Sequence, residues 1–320
     1  MKMKNKVKKL FIIGNGFDCY GHGMKTKYSD FKEYLINRFP DYDEDFDGLL
    51  ESRTMPDGEE EYDMDAVVGS IVRLLNNCSG KDWGILEACL GDLYIENIQD
   101  DNEWNFDEID FEDDNDDEWE TLYDNEDTAK NITGAYAIIR ELFEDWVFSQ
   151  LGSMNYVKIK KLFLRPSFLN SVFLNFNYTK TLEKLYGISP DRVCHIHGDA
   201  ENKSSTIYFG HGDNNVKSEV PSYLGTEDSF DWLKEYMKKD TKKAIETNQD
   251  FFSKIKDIRK IYTYGFSFSQ VDMIYMKEIA NAVDPANIKW YFNRFDWKNN
   301  KEYVEKVKIL GFKVRRTYLW

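Results

Sequence analysis

Leu10-Phe11-Ile12-Ile13-Gly14-Asn15-Gly16-Phe17-Asp18 is the stretch whose reading decides the fold. Its bulky apolar run has the character of a strand buried on both faces, as in a parallel sheet, and it stops abruptly at Gly-x-Gly. The first glycine permits a sharp turn, and the second removes a side chain where something must come close to the backbone. The turn is a candidate nucleotide cradle. A dinucleotide fingerprint would carry a third glycine at position 19, where Cys19 stands. Taken alone, Gly14-x-Gly16 is equally compatible with an ordinary strand-to-helix turn.

Working outward, Tyr28, Phe31, Leu35 and Phe39 recur at helical spacing, and Pro40 ends that helix. Residues 41–63 read as acidic and turn-rich. Helical patterning without strand alternation then runs to about residue 165, with Val67, Ile71, Leu74 and Leu75 in one stripe and Ala135 to Val147 in another. Strands return at 171–177, 192–196, 206–209, 260–264, 288–292 and 312–318. Helices alternate with them, including a long polar one at 228–247. Such alternation predicts an α/β fold, a Rossmann-like parallel sheet with a large helical insertion. The expected division is 1–40 for the first strand, glycine loop and helix, 41–165 for the insert, and 166–320 for the remainder of the sheet domain.

Composition sets the function classes. The chain has 320 residues, a net charge of −16 and 42% hydrophobic residues, which suits a globular protein. No apolar run is long enough to span a bilayer, so no membrane association is expected. Its four cysteines show no C-x-x-C spacing, which predicts reduced thiols in the cytoplasm and no zinc or other metal site. Between Lys81 and Lys130 there is no Lys or Arg, and residues 100–127 hold 16 acidic side chains. This block reads first as a solvated segment, with a nucleic-acid mimic as the sharper alternative. Direct nucleic-acid binding is not expected.

The four histidines all lie in or beside glycine turns: His22, His195, His197 and His211. His22 and His195 read as turn-capping residues. His197 leaves a strand and meets Gly198, the setting of a general base that works near neutral pH. Asn175-Phe176-Asn177-Tyr178-Thr179 closes an apolar strand, and an amide there can both donate to and accept from a ribose hydroxyl or water. Gly265-Phe266-Ser267-Phe268-Ser269, with Asp272, forms another strand end, read either as a helix cap or as a second ligand-facing loop.

Gly14-Asn15-Gly16-Phe17-Asp18, Tyr28-Ser29-Asp30-Phe31, Trp83 to Gly91, Asn175 to Thr179, His195-Ile196-His197-Gly198, Gly210-His211-Gly212 and Gly265-Phe266-Ser267 together resemble the bacteriophage abortive-infection AbiH family. That family is in turn distantly similar to Sir2-like NAD-binding proteins, several of which hydrolyse NAD in phage defence. The resemblance implies a Sir2/DHS-like version of the Rossmann sheet and NAD, or a related nucleotide, as substrate or ligand. It assigns nucleotide contact to Gly14 and Gly16, ribose contact to Asn177 and the base to His197. Asp18 would stabilise developing positive charge. Asn15, Phe17, Tyr178, Gly198, His211, Gly265 and Ser267 complete the expected binding set.

Two differences are plain. Thr179 stands where those relatives have aspartate, and the zinc-binding cysteines of protein deacylases are missing, which sets deacylation aside. The expected function is an effector that cleaves the N-glycosidic bond. The alternatives are a nucleotide-binding sensor or toxin subunit without turnover, and the acidic mimic. A phage-derived trigger or protein partner is expected at the helical insert, and self-association into a homo-oligomer is left open.

Overall fold

The computed structural model describes residues 8–44, 50–58, 60–78, 83–91, 118–156, 159–212 and 223–317. Two compact units divide the chain. The first comprises residues 1–27, 145–208 and 240–320, and the second 28–144 and 209–239.

The first unit is built on six strands: β1 (Lys9–Ile13), β2 (Val172–Asn175), β3 (Val193–His195), β4 (Lys260–Tyr264), β5 (Lys289–Phe292) and β6 (Lys313–Arg316). All neighbours pair in parallel, in the spatial order β3-β2-β1-β4-β5-β6. This is the doubly wound order, and its reversal of direction lies between β1 and β4, where such sheets bind ligands beyond the carboxyl ends of the strands. Alternation along β1 explains why it sits at the centre. Leu10 and Ile12 join one apolar core with Ile261, Trp290 and Phe292, while Phe11 and Ile13 join another with Phe168, Phe173 and Tyr262. Each fully buried side chain of this size contributes about 1.5–3 kcal/mol, so a polar residue at any position from Leu10 to Ile13 would be costly on either face.

The second unit is mainly helical, with helices Tyr28–Arg38, Met64–Asn77, Trp83–Gly91, most of Glu118–Trp146, and Glu227–Tyr236. The Asp63 carboxylate caps Met64–Asn77 by accepting from the N–H groups of Asp65 and Ala66. Phe143 stacks on Phe209 at 3.8 Å between ring centres and meets Phe31 edge-on. Arg140 fastens the 209–239 piece, donating to the carbonyls of Phe209, Tyr236 and Lys238. A buried Lys239–Glu87 ion pair at 2.6 Å joins the same two pieces of chain.

Three local expectations are corrected. Residues 41–63 contain a short antiparallel hairpin, Ser52–Thr54 with Glu60–Tyr62, which the acidic composition concealed. The segment 206–209, buried from Ile207 onward, forms no strand: the Tyr208 N–H bonds to the His197 carbonyl and no ladder continues. The long helix expected at 228–247 is two helices, Glu227–Tyr236 and Thr241–Thr247, because the Asp240 side chain accepts from the Lys243 N–H and starts a new one. Residues 100–117 of the acidic block lie outside the described residues, and 118–127 belong to the helix Glu118–Trp146.

Candidate active site

The exits of β1 and β4 touch backbone to backbone. The Gly14 N–H donates to the Tyr264 carbonyl at 3.1 Å and the Gly16 N–H to the Gly265 carbonyl at 3.0 Å. A Cβ on Gly14 would lie less than 3.0 Å from Gly265 and Phe266 backbone atoms, and Gly265 itself has φ of +65°. These glycines are therefore required first for close approach at the switch point. Beyond them the chain enters a π-helix, Phe17–His22, a widened turn that recurs at functional sites.

That turn buries Asp18 completely. The Asp18 Oδ2 accepts the Thr179 hydroxyl, and Oδ1 is buried without a hydrogen-bond partner. Burial pushes the carboxyl up to about 6, against the opposing influence of the Thr179 and Thr181 hydroxyls, the charge of His195 and the Asn177 amide. A carboxyl held there can change protonation near neutral pH. The Asn177 amide donates to the Gly14 carbonyl at 3.2 Å, and its own N–H donates to Asn175 Oδ1. Lys180 occupies the cap position of the next helix without a side-chain capping bond.

His197, 5% exposed, packs edge-on against Phe176 at 5.0 Å, and Phe176 packs on Phe266 of the β4 exit. Its Nε2 lies 3.4 Å from Asp272 Oδ1. Gly198 (φ +107°) turns the chain so that the Tyr208 N–H reaches the His197 carbonyl. The structure thus brings Gly14, Gly16, Asp18, Asn177, His197 and Gly265 to the carboxyl ends of β1, β2, β3 and β4.

The remaining expected residues are placed as follows. Asn15 Oδ1 accepts the Thr26 hydroxyl, and the Tyr178 hydroxyl donates to the Tyr208 carbonyl. Ser267 is half-buried in the β4 exit. Phe17 commits its ring to the core, against Phe163 and Tyr264. His211 belongs to the second unit, where its ring nitrogens meet the carbonyls of Gly212 and Lys234. His22 and His195 are structural. His22 bonds the Phe17 carbonyl and the Tyr186 hydroxyl, and His195 Nε2 pairs with Glu183 Oε1 at 2.8 Å.

Burial raises the Cys19 and Cys194 thiols to about 11 and about 12, which removes them as nucleophiles. Among the described residues no group of His, Cys, Asp and Glu could hold a metal ion, and no helix is long and apolar enough to cross a membrane.

Sequence reasoning missed two partners. Asp272 was visible as part of a cap or of a ligand-facing loop but not as a partner of His197, and Thr179 was visible as a departure from a motif. The signal for both was a short polar side chain beside a strand end, which does not say what it faces.

The family described as bacteriophage abortive infection AbiH matches residues 10–294, from β1 to the residue that opens the helix after β5. The chain belongs to the AbiH family. Membership implies a role in phage abortive infection, and the match spans every strand exit described above except that of β6. Comparison with curated proteins and with solved structures finds no match.

Proposed function

We propose that this AbiH-family protein acts in abortive infection by binding NAD or a related nucleotide at the switch point of the sheet and hydrolysing its N-glycosidic bond. One observation carries the reading: at the carboxyl edge of a doubly wound sheet, a fully buried carboxylate with one bare oxygen and an amide stand at a glycine turn, and an imidazole lies at the exit of β3 in the same sheet. Electron-poor C1′ chemistry needs these groups. As the bond from C1′ to the ring nitrogen breaks, its electron pair leaves with nicotinamide and the sugar becomes oxocarbenium-like. Asp18 as a carboxylate stabilises that charge, Asn177 positions ribose or water, and His197 takes the proton of the attacking water. The products are nicotinamide and an ADP-ribose carrying the water's hydroxyl.

The direct test follows nicotinamide release from NAD by the purified protein. His197→Ala and Asn177→Ala are each expected to lower turnover by roughly 10²–10⁴-fold. Turnover unchanged by both substitutions would sink the assignment. Saturable binding without product over hours would replace hydrolysis by a sensor role.

A further inference from the structure

The turn between β4 and the helix Met273–Ala282 contains features that neither strand pairing nor helix capping uses. Phe268 has φ of +53°, in the left-handed region that a bulky aromatic residue rarely adopts. It is held there from two sides. Its ring is fully buried against Phe266, Phe292 and Tyr303, and its carbonyl accepts the Lys306 ammonium at 2.8 Å. Strain that the surroundings enforce concentrates where a turn must present a group in one geometry.

The group presented is Asp272. It occupies the N-cap position of Met273–Ala282, where an aspartate ordinarily accepts from the N–H groups of the first turn, yet its side chain makes no capping bond. Its Oδ2 accepts the Ser269 hydroxyl at 3.1 Å instead, and its Oδ1 faces His197 Nε2 at 3.4 Å. Both side chains are largely buried. Among the described residues, the phenols of Tyr275 and Tyr178 also lie against the imidazole, with rings 5.5 and 6.4 Å from it.

We infer that Asp272 is the positioning residue for His197: fixed by Ser269 and the Phe268 turn, its carboxylate keeps the imidazole proton on Nε2 and so leaves the lone pair on Nδ1, the nitrogen that receives the proton in catalysis. An imidazole oriented in this way presents one basic nitrogen in one place. At 3.4 Å the contact has ion-pair distance without hydrogen-bond alignment, and catalytic hydrogen bonds are commonly long or poorly aligned before a substrate closes a site. The catalytic part of this inference rests on the hydrolytic reading above, whereas the tautomer does not.

Nitrogen-15 NMR of the full chain reads the tautomer from the two-bond couplings of the His197 ring. The native protein is expected to carry Nε2–H. In Asp272→Asn the Ser269 hydroxyl retains the amide oxygen, which turns the amide N–H toward Nε2, so the proton moves to Nδ1 and the tautomer inverts. Ser269→Ala, which loosens the carboxylate without removing it, is expected to give a mixture. With NAD, Asp272→Asn should lower kcat on the order of 10²–10⁴-fold while KM changes little.

Native-like couplings in folded Asp272→Asn overturn the inference. If that variant does not fold, unchanged couplings in Ser269→Ala overturn it. A native protein that hydrolyses no nucleotide, together with the inversion in Asp272→Asn, removes the hydrolytic reading and leaves the positioning role standing.

Discussion

His195 and His197 stand two residues apart at the exit of β3, and each faces a carboxylate. His195 meets Glu183 at 2.8 Å, with its other ring nitrogen 3.3 Å from the Asn177 carbonyl. His197 meets Asp272 at 3.4 Å in a shell of aromatic rings. The first pair is closed on both sides and ties the Asn175–Thr179 turn to the helix Thr181–Tyr186. The second is looser, and its carboxylate is held by a strained turn. Similar chemistry therefore has two settings: one pair holds backbone in place, and the other is the pair in which we propose that a carboxylate orients a base.

The comparison breaks most sharply in stability. Removing one partner of a buried ion pair leaves the other charge uncompensated, typically at about 3–5 kcal/mol. His195→Ala is expected to lose that much in denaturant unfolding, and His197→Ala less than half of it. Equal losses would mean that both histidines are structural.

The next effect belongs to Asp18, which lies within the electrostatic reach of His195. Its carboxyl is raised from 3.8 to about 6, so the folded state holds the proton more tightly than the unfolded chain does. Stability on this account falls as pH rises from about 4 to about 6 and stays lower above that. At about 1.4 kcal/mol per pH unit, the difference comes to about 3 kcal/mol. Asp18→Asn should recover about that amount at pH 7 and nothing below pH 4. A flat difference between the two proteins across that range would remove the raised carboxyl.

The smallest effect sharpens the comparison through pH alone. Burial opposes charge on His195, but the hydrogen bond and charge of Glu183, with the Asp199 charge and the Asn177 backbone, outweigh it and hold the imidazole above its ordinary 6.5. Its contribution is present in full below 6.5 and is lost as pH rises through the higher folded-state value. Melting temperature should therefore fall as pH rises from 6.5 toward 9, by a few degrees for each kcal/mol lost. Glu183→Gln should abolish that slope. A slope that survives the substitution must come from another group.

Much of the sheet was legible because β1, β2, β4 and β5 are short apolar runs that end in glycine or asparagine. The hairpin Ser52–Thr54 with Glu60–Tyr62 was not: its strands are three residues each, polar and mostly exposed, with no alternation to betray them. The residues 206–209 misled in the opposite sense, since burial of Ile207, Tyr208 and Phe209 mimics a strand without a partner. In the site, the glycine turns, Asn177 and His197 could be read from residue type and position along the strands. The pairing of His197 with Asp272 spans 75 positions, and that of Asp18 with Thr179 spans 161. Only tertiary structure selects such partners among many equivalent polar side chains.

The discontinuity of the second unit has a consequence for biosynthesis. Residues 28–144 leave the ribosome with Glu87 and Arg140 ready to be buried, but their partners lie within 209–239. At about 5–20 residues per second, the 95 positions from 144 to 239 take about 5–20 s to appear. For that interval the nascent helices must wait with an unpaired carboxylate and an uncovered Phe143. β1 waits longer still, because its neighbour β4 begins at Lys260. A translating chain of this protein is thus exposed to chaperones and proteases until about four-fifths of it has been made.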